Sequence, residues 1–178
     1  MVGILNKSFQ EMVINHFGDE NWELALERSG EEVNFFRNNE PSGIDSSYKI
    51  AKALSELKSI PVDYIMKTFG EWWIINTCLV RFADFIQVES TTFSNQLLQL
   101  PNFHNRLMFL YPNLLLPEIQ VSVPNSSNLY LHFDSAILGN ASFIEGLIYG
   151  ISKSFNVNLV VELVKGKEAN SDLFKLSW

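Results

Sequence analysis

The sequence predicts an α+β fold in which a helical first part is followed by a small antiparallel sheet. Two observations support this prediction. Apolar residues recur at spacings of three and four up to about residue 110, which is typical of helices that pack on one face. Apolar and polar residues then alternate over 119–133, which is typical of strands. With a long helix and further strands after it, the second part has the order β-β-α-β-β.

The first helix is predicted over Ile4 to Phe17, because its apolar side chains fall on one face, and Gly18 ends it. Asp19 is predicted to be the N-cap of a short second helix that stops at Ser29-Gly30. The polar stretch Glu31 to Ser47 is predicted to be a loop.

Two further helices are predicted in the first part of the chain. Ser46 or Ser47 would cap the third helix, and Pro61 would begin a fourth that runs to about Val80. The run Trp72 to Ile75 makes the fourth helix apolar nearly all round. We therefore expect that helix to be buried.

The second part begins with helical spacing from Thr91 to Leu110, where Pro101 should bend the helix or begin a new segment. We expect one domain over residues 1–178, helical to about residue 85 and sheet-bearing from about residue 86. Its remaining elements are a hairpin, a long helix and two more strands: Ile119–Val123 and Leu129–Phe133 around the turn Pro124–Asn128, then Leu138–Phe155, then Val157–Val164 and Leu173–Trp178.

Composition excludes several classes of function. The chain has 178 residues, 47% of them hydrophobic, which is enough for one buried core. A net charge of −7 opposes binding to phosphate backbones, so nucleic acid is not an expected partner. The first residues lack the basic start of a signal peptide, and no apolar run approaches the roughly 20 residues that span a bilayer. We therefore expect a cytoplasmic protein that does not bind membranes.

Motifs for catalysis are absent from the sequence. The three histidines, His16, His104 and His132, do not have the spacing of a zinc site, and there is neither a glycine-rich phosphate loop nor a G-x-S-x-G motif. The single cysteine, Cys78, has no polar sequence neighbours that would activate it, so we expect a small core residue. The sequence predicts that the protein is not an enzyme.

His104 is the one candidate ligand, because it falls on the apolar face of its predicted helix. Its neighbours there are Leu100, Phe103, Leu107 and Met108. Such a histidine is either a core residue bonded to a carbonyl or an axial ligand of haem iron, which needs apolar walls for the porphyrin. The candidate walls are equally suited to a core: Leu5, Phe9, Trp73 and Leu147. The residues alone leave both interpretations open.

Short segments along nearly the whole chain form an ordered pattern. They are Met1-x-Gly3 with Phe9-x-x-Met12-Val13 and Phe17-Gly18-x-x-x-Trp22, Ala53-Leu54-Ser55-x-Leu57 with Pro61, Phe69-Gly70-x-Trp72-Trp73, Leu100-Pro101-x-x-His104 with Tyr111-Pro112 and Pro117, and Gly146-Leu147-Ile148-x-Gly150. Their order and spacing resemble the H-NOX family, the haem-nitric oxide/oxygen binding domains of bacterial gas sensors and soluble guanylate cyclase. The resemblance implies the fold of that family, bound haem b and a sensory function.

The resemblance also implies roles for individual residues. His104 would be the proximal, axial ligand of the haem iron, and Pro117 would press on the porphyrin. On the distal side, Phe9 and Trp73 take the positions of the first-helix and central-helix residues. Family members that bind oxygen stably place a tyrosine where this chain has Ser142 or Phe143, depending on the register. The resemblance therefore implies binding of nitric oxide and carbon monoxide without a long-lived oxygen complex.

The chain departs from the family at the haem propionates. The family holds them with a Y-x-S-x-R motif, and the corresponding residues here are Phe133-Asp134-Ser135-Ala136-Ile137, which keep only Ser135. A register shifted by one gives Asp134, Ala136 and Leu138, which restores neither the tyrosine nor the arginine. The basic residues that remain as candidates for the propionates are Arg106, Arg81 and Lys153.

The resemblance implies a gas sensor that signals to a separate protein. In this family, nitric oxide weakens the bond between histidine and iron, and the resulting strain release changes the surface that a partner meets. Stand-alone bacterial domains of this kind regulate a histidine kinase, a cyclic-di-GMP enzyme or a chemotaxis receptor. The alternative is a haem-free module of the same fold that binds another apolar molecule or serves only in protein interaction.

Overall fold

The α+β architecture is confirmed by a computed structural model, which describes residues 2–32, 43–81, 92–110, 118–125, 128–134, 141–165 and 171–178. Its helical elements are α1 Val2–Phe17, α2 Asp19–Ser29, α3 Gly43–Lys58, α4 Val62–Trp72, a π-helical segment Trp73–Cys78, α5 Leu79–Arg81, α6 Phe93–Leu98, α7 Leu100–Leu110 and α8 Ala141–Ser154. The strands are β1 Ile119–Asn125, β2 Asn128–Asp134, β3 Val160–Lys165 and β4 Ser171–Ser177.

The four strands form one antiparallel sheet in the order β1-β2-β4-β3. The predicted hairpin is therefore confirmed as β1 and β2. On β2, the alternate residues Leu129, Leu131 and Phe133 are buried, as the period of two predicts for a sheet with one covered face. Their partners on β4 are, in the same order, Leu176, Phe174 and Asp172. This inward face of the sheet belongs to the apolar core of the second half of the molecule.

The apolar core consists of two clusters. The helical cluster joins buried residues of α1, α2, α3 and α4. The sheet cluster joins the inward face of the sheet to residues of α6. Helix α8 serves both clusters, because Phe143 lies in the helical cluster while Ile144 and Ile148 lie in the sheet cluster. This one helix therefore connects the two halves.

Glycines permit the contact by which α8 is fixed to α4. A Cβ atom at Gly70 would overlap the backbone carbonyl of Phe143, and one at Gly146 would overlap the backbone carbonyl of Lys67. The two backbones approach so closely only because both positions lack a side chain. At the same crossing the Lys67 ammonium pairs with the Glu145 carboxylate at 2.6 Å.

The start of the third helix differs from the prediction. Helix α3 begins at Gly43, so the end of the predicted loop is helical, whereas residues 33–42 lie outside the described residues. Ser46 and Ser47 do not cap the helix but lie buried within it. The Ser47 hydroxyl donates to the side-chain oxygen of Asn6 at 3.2 Å. A tertiary partner therefore replaces the predicted cap.

Helix α1 ends at Phe17, as predicted, but begins at Val2, two residues before the predicted start at Ile4. The limits of α2 need one correction. Helix α2 ends before Gly30, whose φ of 70° is the left-handed conformation that glycine adopts readily. The prediction that Asp19 is the N-cap is wrong, because Gly18 takes that position and Asp19 lies in the first turn. A carboxylate in the first turn is still favourable, since it faces the positive end of the helix dipole.

The fourth helix is interrupted in a way that the sequence pattern does not predict. Pro61 stands at its N-cap position, and regular α-helix ends at Trp72, where the π-helical segment begins. The helix is buried at Ile65, Met66, Phe69 and Gly70, whereas the run Trp72 to Ile75, on which the expected burial depended, is only half-buried. A π-helical turn holds more residues than an α-helical one, so it shifts the face that each later residue presents.

The later elements follow the predicted order with shifted ends. Gln99 separates α6 from α7, which agrees with a new segment at Pro101, and the Thr92 side chain caps α6 by accepting from the Asn95 amide at 3.3 Å. Helix α8 begins at Ala141, with residues 138–140 outside the described residues, and β3 begins three residues later than predicted, at Val160. In the described part of the chain, no helix combines the length and the hydropathy of a membrane span.

Candidate functional site

His104 lies on the buried face of α7. Its residue exposure is 7%, whereas Asn102, Asn105 and Arg106 on the same helix are exposed. The Nε2 atom is buried and has no hydrogen-bond partner among the described residues. Burying a polar atom without a partner costs free energy, and most buried polar atoms in proteins are bonded. This nitrogen is therefore the candidate site for a ligand that the polypeptide does not provide.

The environment of His104 favours the neutral imidazole. Burial lowers its pKa below the ordinary value of 6.5, because the charged ring would be desolvated. A neutral ring keeps a lone pair on one nitrogen, and this lone pair is what a metal ion binds. The ring is thus in the protonation state of a ligand at neutral pH.

The other two histidines have different surroundings. The Nδ1 atom of His16 lies 3.0 Å from the Met12 carbonyl oxygen, to which it can donate. His132 is exposed and lies on the strand face opposite to that of Phe133. His104 is thus distinguished from both by a buried ring nitrogen without a partner.

The four predicted wall residues share the helical cluster. They are Leu5, Phe9, Trp73 and Leu147, and Phe143, one of the two alternatives for the family's tyrosine, belongs to the same cluster. The Phe69 ring joins Phe9 to Phe143, since its centroid lies 4.9 Å from that of Phe9 and 5.0 Å from that of Phe143. These two phenylalanines are buried, whereas Leu5, Trp73 and Leu147 are only partly buried. Helix α7, with His104, packs on β1 and α6.

Cys78 is a buried residue, as predicted, and its partner is Trp73. Burial raises the pKa of the Cys78 thiol to about 12, and a hydrogen bond with the Trp73 side chain opposes that rise with a smaller effect. The thiol therefore stays protonated at neutral pH and lacks the thiolate that nucleophilic chemistry requires. The same contact engages the polar group of Trp73.

The remaining predicted positions are only partly described. Ser142 is half-buried and precedes Phe143 in the first turn of α8. Both alternatives for the family's tyrosine thus lie on the helix that contacts the helical cluster. Pro117 and Ser135 lie outside the described residues, as do Ala136, Ile137 and Leu138.

Near the end of β2, Phe133 stands where the family's propionate motif has its tyrosine. Phe133 is buried, and its ring lies edge-on to that of Phe174 at 6.1 Å. Across the sheet it pairs with Asp172, whose side chain shares the same face and whose pKa is raised by burial. This pair offers no positive charge to a propionate.

Two of the three basic candidates for the propionates are already paired. Arg81 lies 3.4 Å from the carboxylate of Glu11, and Lys153 pairs with Glu71. Arg106 is exposed and two residues from His104, which places it on nearly the opposite side of α7.

The sequence interpretation missed the polar contacts inside the helical half. Ser8 and Thr77 are both buried, and their hydroxyl oxygens lie 2.6 Å apart. The indole nitrogen of Trp72 is buried without a hydrogen-bond partner among the described residues, and its ring lies edge-on to that of His16 at 5.5 Å. A polar residue beside an apolar helix face is the only signal in the sequence, and it does not name the partner.

Comparison with known proteins identifies relatives that match most of this chain. The sequence model of a family described as haem-NO-binding matches residues 2–163. Soluble guanylate cyclase gcy-31 of Caenorhabditis elegans is 25% identical over 165 residues, which are 92% of this chain and 24% of that relative. Soluble guanylate cyclase 89Da of Drosophila melanogaster is 23% identical over 161 residues, which are 87% of this chain and 23% of that relative. The chain spans about a quarter of the length of these relatives.

Solved structures share the fold. An H-NOX protein from S. oneidensis in the Fe(II)NO ligation state superposes with a TM-score of 0.83 at 20% sequence identity. The superposition covers 99% of this chain and 98% of that one. The described helices and sheet therefore form a fold that is also found in a protein solved with nitric oxide on its iron.

Proposed function

The chain belongs to the haem-NO-binding family, and on that premise we propose that it is a haem-based sensor of nitric oxide in which His104 is the axial ligand of the iron. The family is one of haem-based gas sensors. The observation that carries the proposal is the buried Nε2 atom of His104, which has no hydrogen-bond partner in the described part of the chain. The residues therefore fit a haem at the point where one protein ligand is needed.

His104 supplies one ligand, and the helical cluster supplies apolar surface. Ferrous haem b, when bound, supplies the iron that takes up nitric oxide or carbon monoxide. The partly buried Leu5, Trp73 and Leu147 have apolar surface left to cover, and covering it with a porphyrin is favourable at about 25 cal/mol per Å². In this proposal His104 ligates the iron, and the apolar side chains cover the porphyrin.

Neither position that matches the family's distal tyrosine holds a phenol in this chain. Neither Ser142 nor Phe143 offers one, and the Trp73 side chain is engaged with Cys78. Bound oxygen carries negative charge that a distal donor stabilises, whereas nitric oxide and carbon monoxide bind without such help. We therefore expect no oxygen complex that lasts for hours in air. A stable oxy spectrum would contradict this assignment of the gas side.

The proposed signal travels through α7. This helix carries His104 and packs on β1 and α6, so release of the imidazole would let α7 shift against both. A separate partner, such as a histidine kinase or a cyclic-di-GMP enzyme, would detect the altered surface. No residue of the chain is assigned a catalytic role in this proposal.

A hemin titration tests the proposal. The wild-type protein should take up hemin and develop an intense Soret band, and reduction followed by carbon monoxide should shift that band. His104→Ala should lose the ligated spectrum while the protein stays folded by circular dichroism. The matched control is His132→Ala, which removes an exposed histidine and should behave as wild type. Added imidazole should restore ligation in the His104 variant, because it fits the space that the side chain leaves.

The haem-free module is the second candidate, and one observation favours it. Near the end of β2 the buried Phe133 pairs with the half-buried Asp172 of β4, and neither is a cation, while two of the three candidate cations are paired elsewhere. A carboxylate that lacks charge-assisted hydrogen bonds forfeits about 1.5–3 kcal/mol for each of them. Wild-type protein that develops no Soret band with excess hemin would establish this second candidate and refute the first.

A further inference from the structure

Helix α1 carries two buried polar side chains that point to opposite neighbours. Asn6 and Ser8 are each 1% exposed. Asn6 accepts from the Ser47 hydroxyl of α3, whereas the Ser8 hydroxyl shares a hydrogen bond with Thr77 of the π-helical segment. Successive residues of a helix are turned by about 100°, so two positions turn the side chain by about 200°. Helix α1 is therefore held on both sides.

The two anchors flank the part of α1 that faces the proposed site. Leu5 and Phe9 are four residues apart and lie on one face, and both belong to the helical cluster. On the same helix, Asn6 lies on one flank of this pair and Ser8 lies on the other. The hydrogen bonds thus fix the rotation of the segment that presents Leu5 and Phe9.

Hydroxyl groups fix a helix in a way that apolar packing does not. A hydrogen bond depends steeply on distance and angle, whereas an apolar contact tolerates small slides. The Ser8 and Thr77 oxygens lie 2.6 Å apart, and Thr77 is 1% exposed, so water does not compete for the bond. The π-helical segment that holds Thr77 also carries Trp73, another member of the proposed wall.

We propose that Ser8 and Thr77 are positioning residues that hold α1 against the π-helical segment and so set how fast a bound gas leaves the site. The proposal rests on the proposed function, since it concerns the same site. Neither hydroxyl touches the ligand in this account. Both act through the placement of Leu5 and Phe9.

Four variants separate positioning from simple stability. Ser8→Ala and Thr77→Val each remove one hydroxyl, Thr77→Ser keeps it, and the double variant Ser8→Ala with Thr77→Val removes both. A single removal leaves a buried hydroxyl without its partner, whereas removal of both leaves none and is nearly neutral for stability. The control is Ser152→Ala. Ser152 is buried as well, at 2% exposure, but its hydroxyl donates to the backbone carbonyl of Tyr149 in its own helix.

The readout on hemin-loaded, reduced protein is the dissociation rate of carbon monoxide. We expect each single removal to speed dissociation by about three- to tenfold, which is the effect of losing one hydrogen bond. Thr77→Ser and Ser152→Ala should dissociate as wild type. The double variant should regain the unfolding midpoint of wild type and still release the gas quickly. If its release returns to the wild-type rate together with stability, the pair is only structural and the proposal is wrong.

A second readout needs no haem. In the haem-free chain, amide hydrogens of α1 should exchange about three- to tenfold faster in Ser8→Ala than in wild type, and Ser152→Ala should leave them unchanged. Unchanged exchange in Ser8→Ala would overturn the anchoring. Wild type that takes up no hemin would refute the proposed function and the gas-release effect, while faster exchange would still establish the anchor on α1.

Discussion

The two halves of the molecule differ in how they treat buried polar groups. In the helical half, Asn6, Ser8 and Thr77 are each 1% exposed, and each is hydrogen-bonded to a side chain of another element. In the sheet-bearing half, His104 is 7% exposed, and its Nε2 atom has no partner among the described residues. The first arrangement fastens helices to one another. The second leaves a nitrogen available to something outside the polypeptide.

The helical half has one exception, and its surroundings differ from those of His104. The Trp72 indole nitrogen is also buried without a hydrogen-bond partner in the described part of the chain. An indole N–H only donates, so it does not ligate a metal ion, whereas a neutral imidazole does. The chemistry of the atom, rather than its burial alone, therefore distinguishes a candidate ligand.

Disrupting the close crossing of α4 and α8, which connects the two halves, should have the largest effect on stability. Gly146→Ala places a Cβ atom against the Lys67 carbonyl, so α8 must move away from α4. We expect the free energy of unfolding to fall by about 3 kcal/mol, since overpacked cores lose about 1–3 kcal/mol and here the obstacle is backbone. Urea denaturation measures it. The comparison variant is Gly30→Ala, where a Cβ meets nothing within 4 Å and only the positive φ is strained. Equal losses in the two variants would contradict the tight crossing.

The stability of the haem-free protein should depend on pH through the buried His104. Burial lowers its pKa in the folded state, so the unfolded chain binds more protons between that pKa and the ordinary value of 6.5. The haem-free protein should therefore lose stability as pH falls below 6.5, with a contribution from this group of at most about 1.4 kcal/mol per pH unit. His104→Ala should flatten the profile of unfolding free energy against pH, and His132→Ala should not. Identical slopes in both variants would show that His104 is not desolvated.

Removing the ion pair between α4 and α8 should have a smaller effect on the free energy of unfolding. Lys67 pairs with Glu145 at 2.6 Å and lies 4.3 Å from the centre of the Tyr149 ring, but 39% of its side chain is exposed. Solvent weakens both interactions, so Lys67→Met should cost about 0.5–1 kcal/mol. The loss should shrink in high salt, because exposed charges are screened. A loss that ignores salt would assign the effect to packing instead.

The Cys78 thiol should hardly react with alkylating reagents in the native protein. Burial raises the pKa of its thiol to about 12, so iodoacetamide should label it only after unfolding. Mass spectrometry of samples treated with and without urea measures the labelled fraction. Rapid labelling of the native chain would mean that the π-helical segment opens far more often than a core segment does.

The sequence predicted those parts of the fold that local patterns determine. Helix α1 and the hairpin of β1 and β2 have regular periods of apolar residues, and these periods persist because one face of each is buried. The start of α3 was missed, because Ser47 is buried against Asn6, a partner 41 residues away in sequence. The π-helical segment was missed as well, because a period of 3.6 residues does not describe it.

The candidate site was likewise predictable only where a local pattern determines it. The apolar face around His104 predicted its burial, but no pattern predicts that its Nε2 atom lacks a partner, since that depends on every element nearby. The Ser8–Thr77 contact joins residues 69 positions apart and was equally hidden. Of the positions that match the propionate motif, the structure shows the surroundings of Phe133 alone, whose ring is buried near the end of β2. The roles of Pro117 and Ser135 stay predictions, because both lie outside the described residues.

The central claim, that the unpartnered nitrogen of His104 binds iron, is tested most directly by resonance Raman spectroscopy of the reduced, hemin-loaded protein. An iron–histidine stretching band should be present in wild type and in His132→Ala, and it should shift when the histidines are labelled with ¹⁵N. The band should be absent from His104→Ala and return when imidazole is added. An isotope-sensitive band that persists in His104→Ala without imidazole would contradict the account, as would its absence from hemin-loaded wild type.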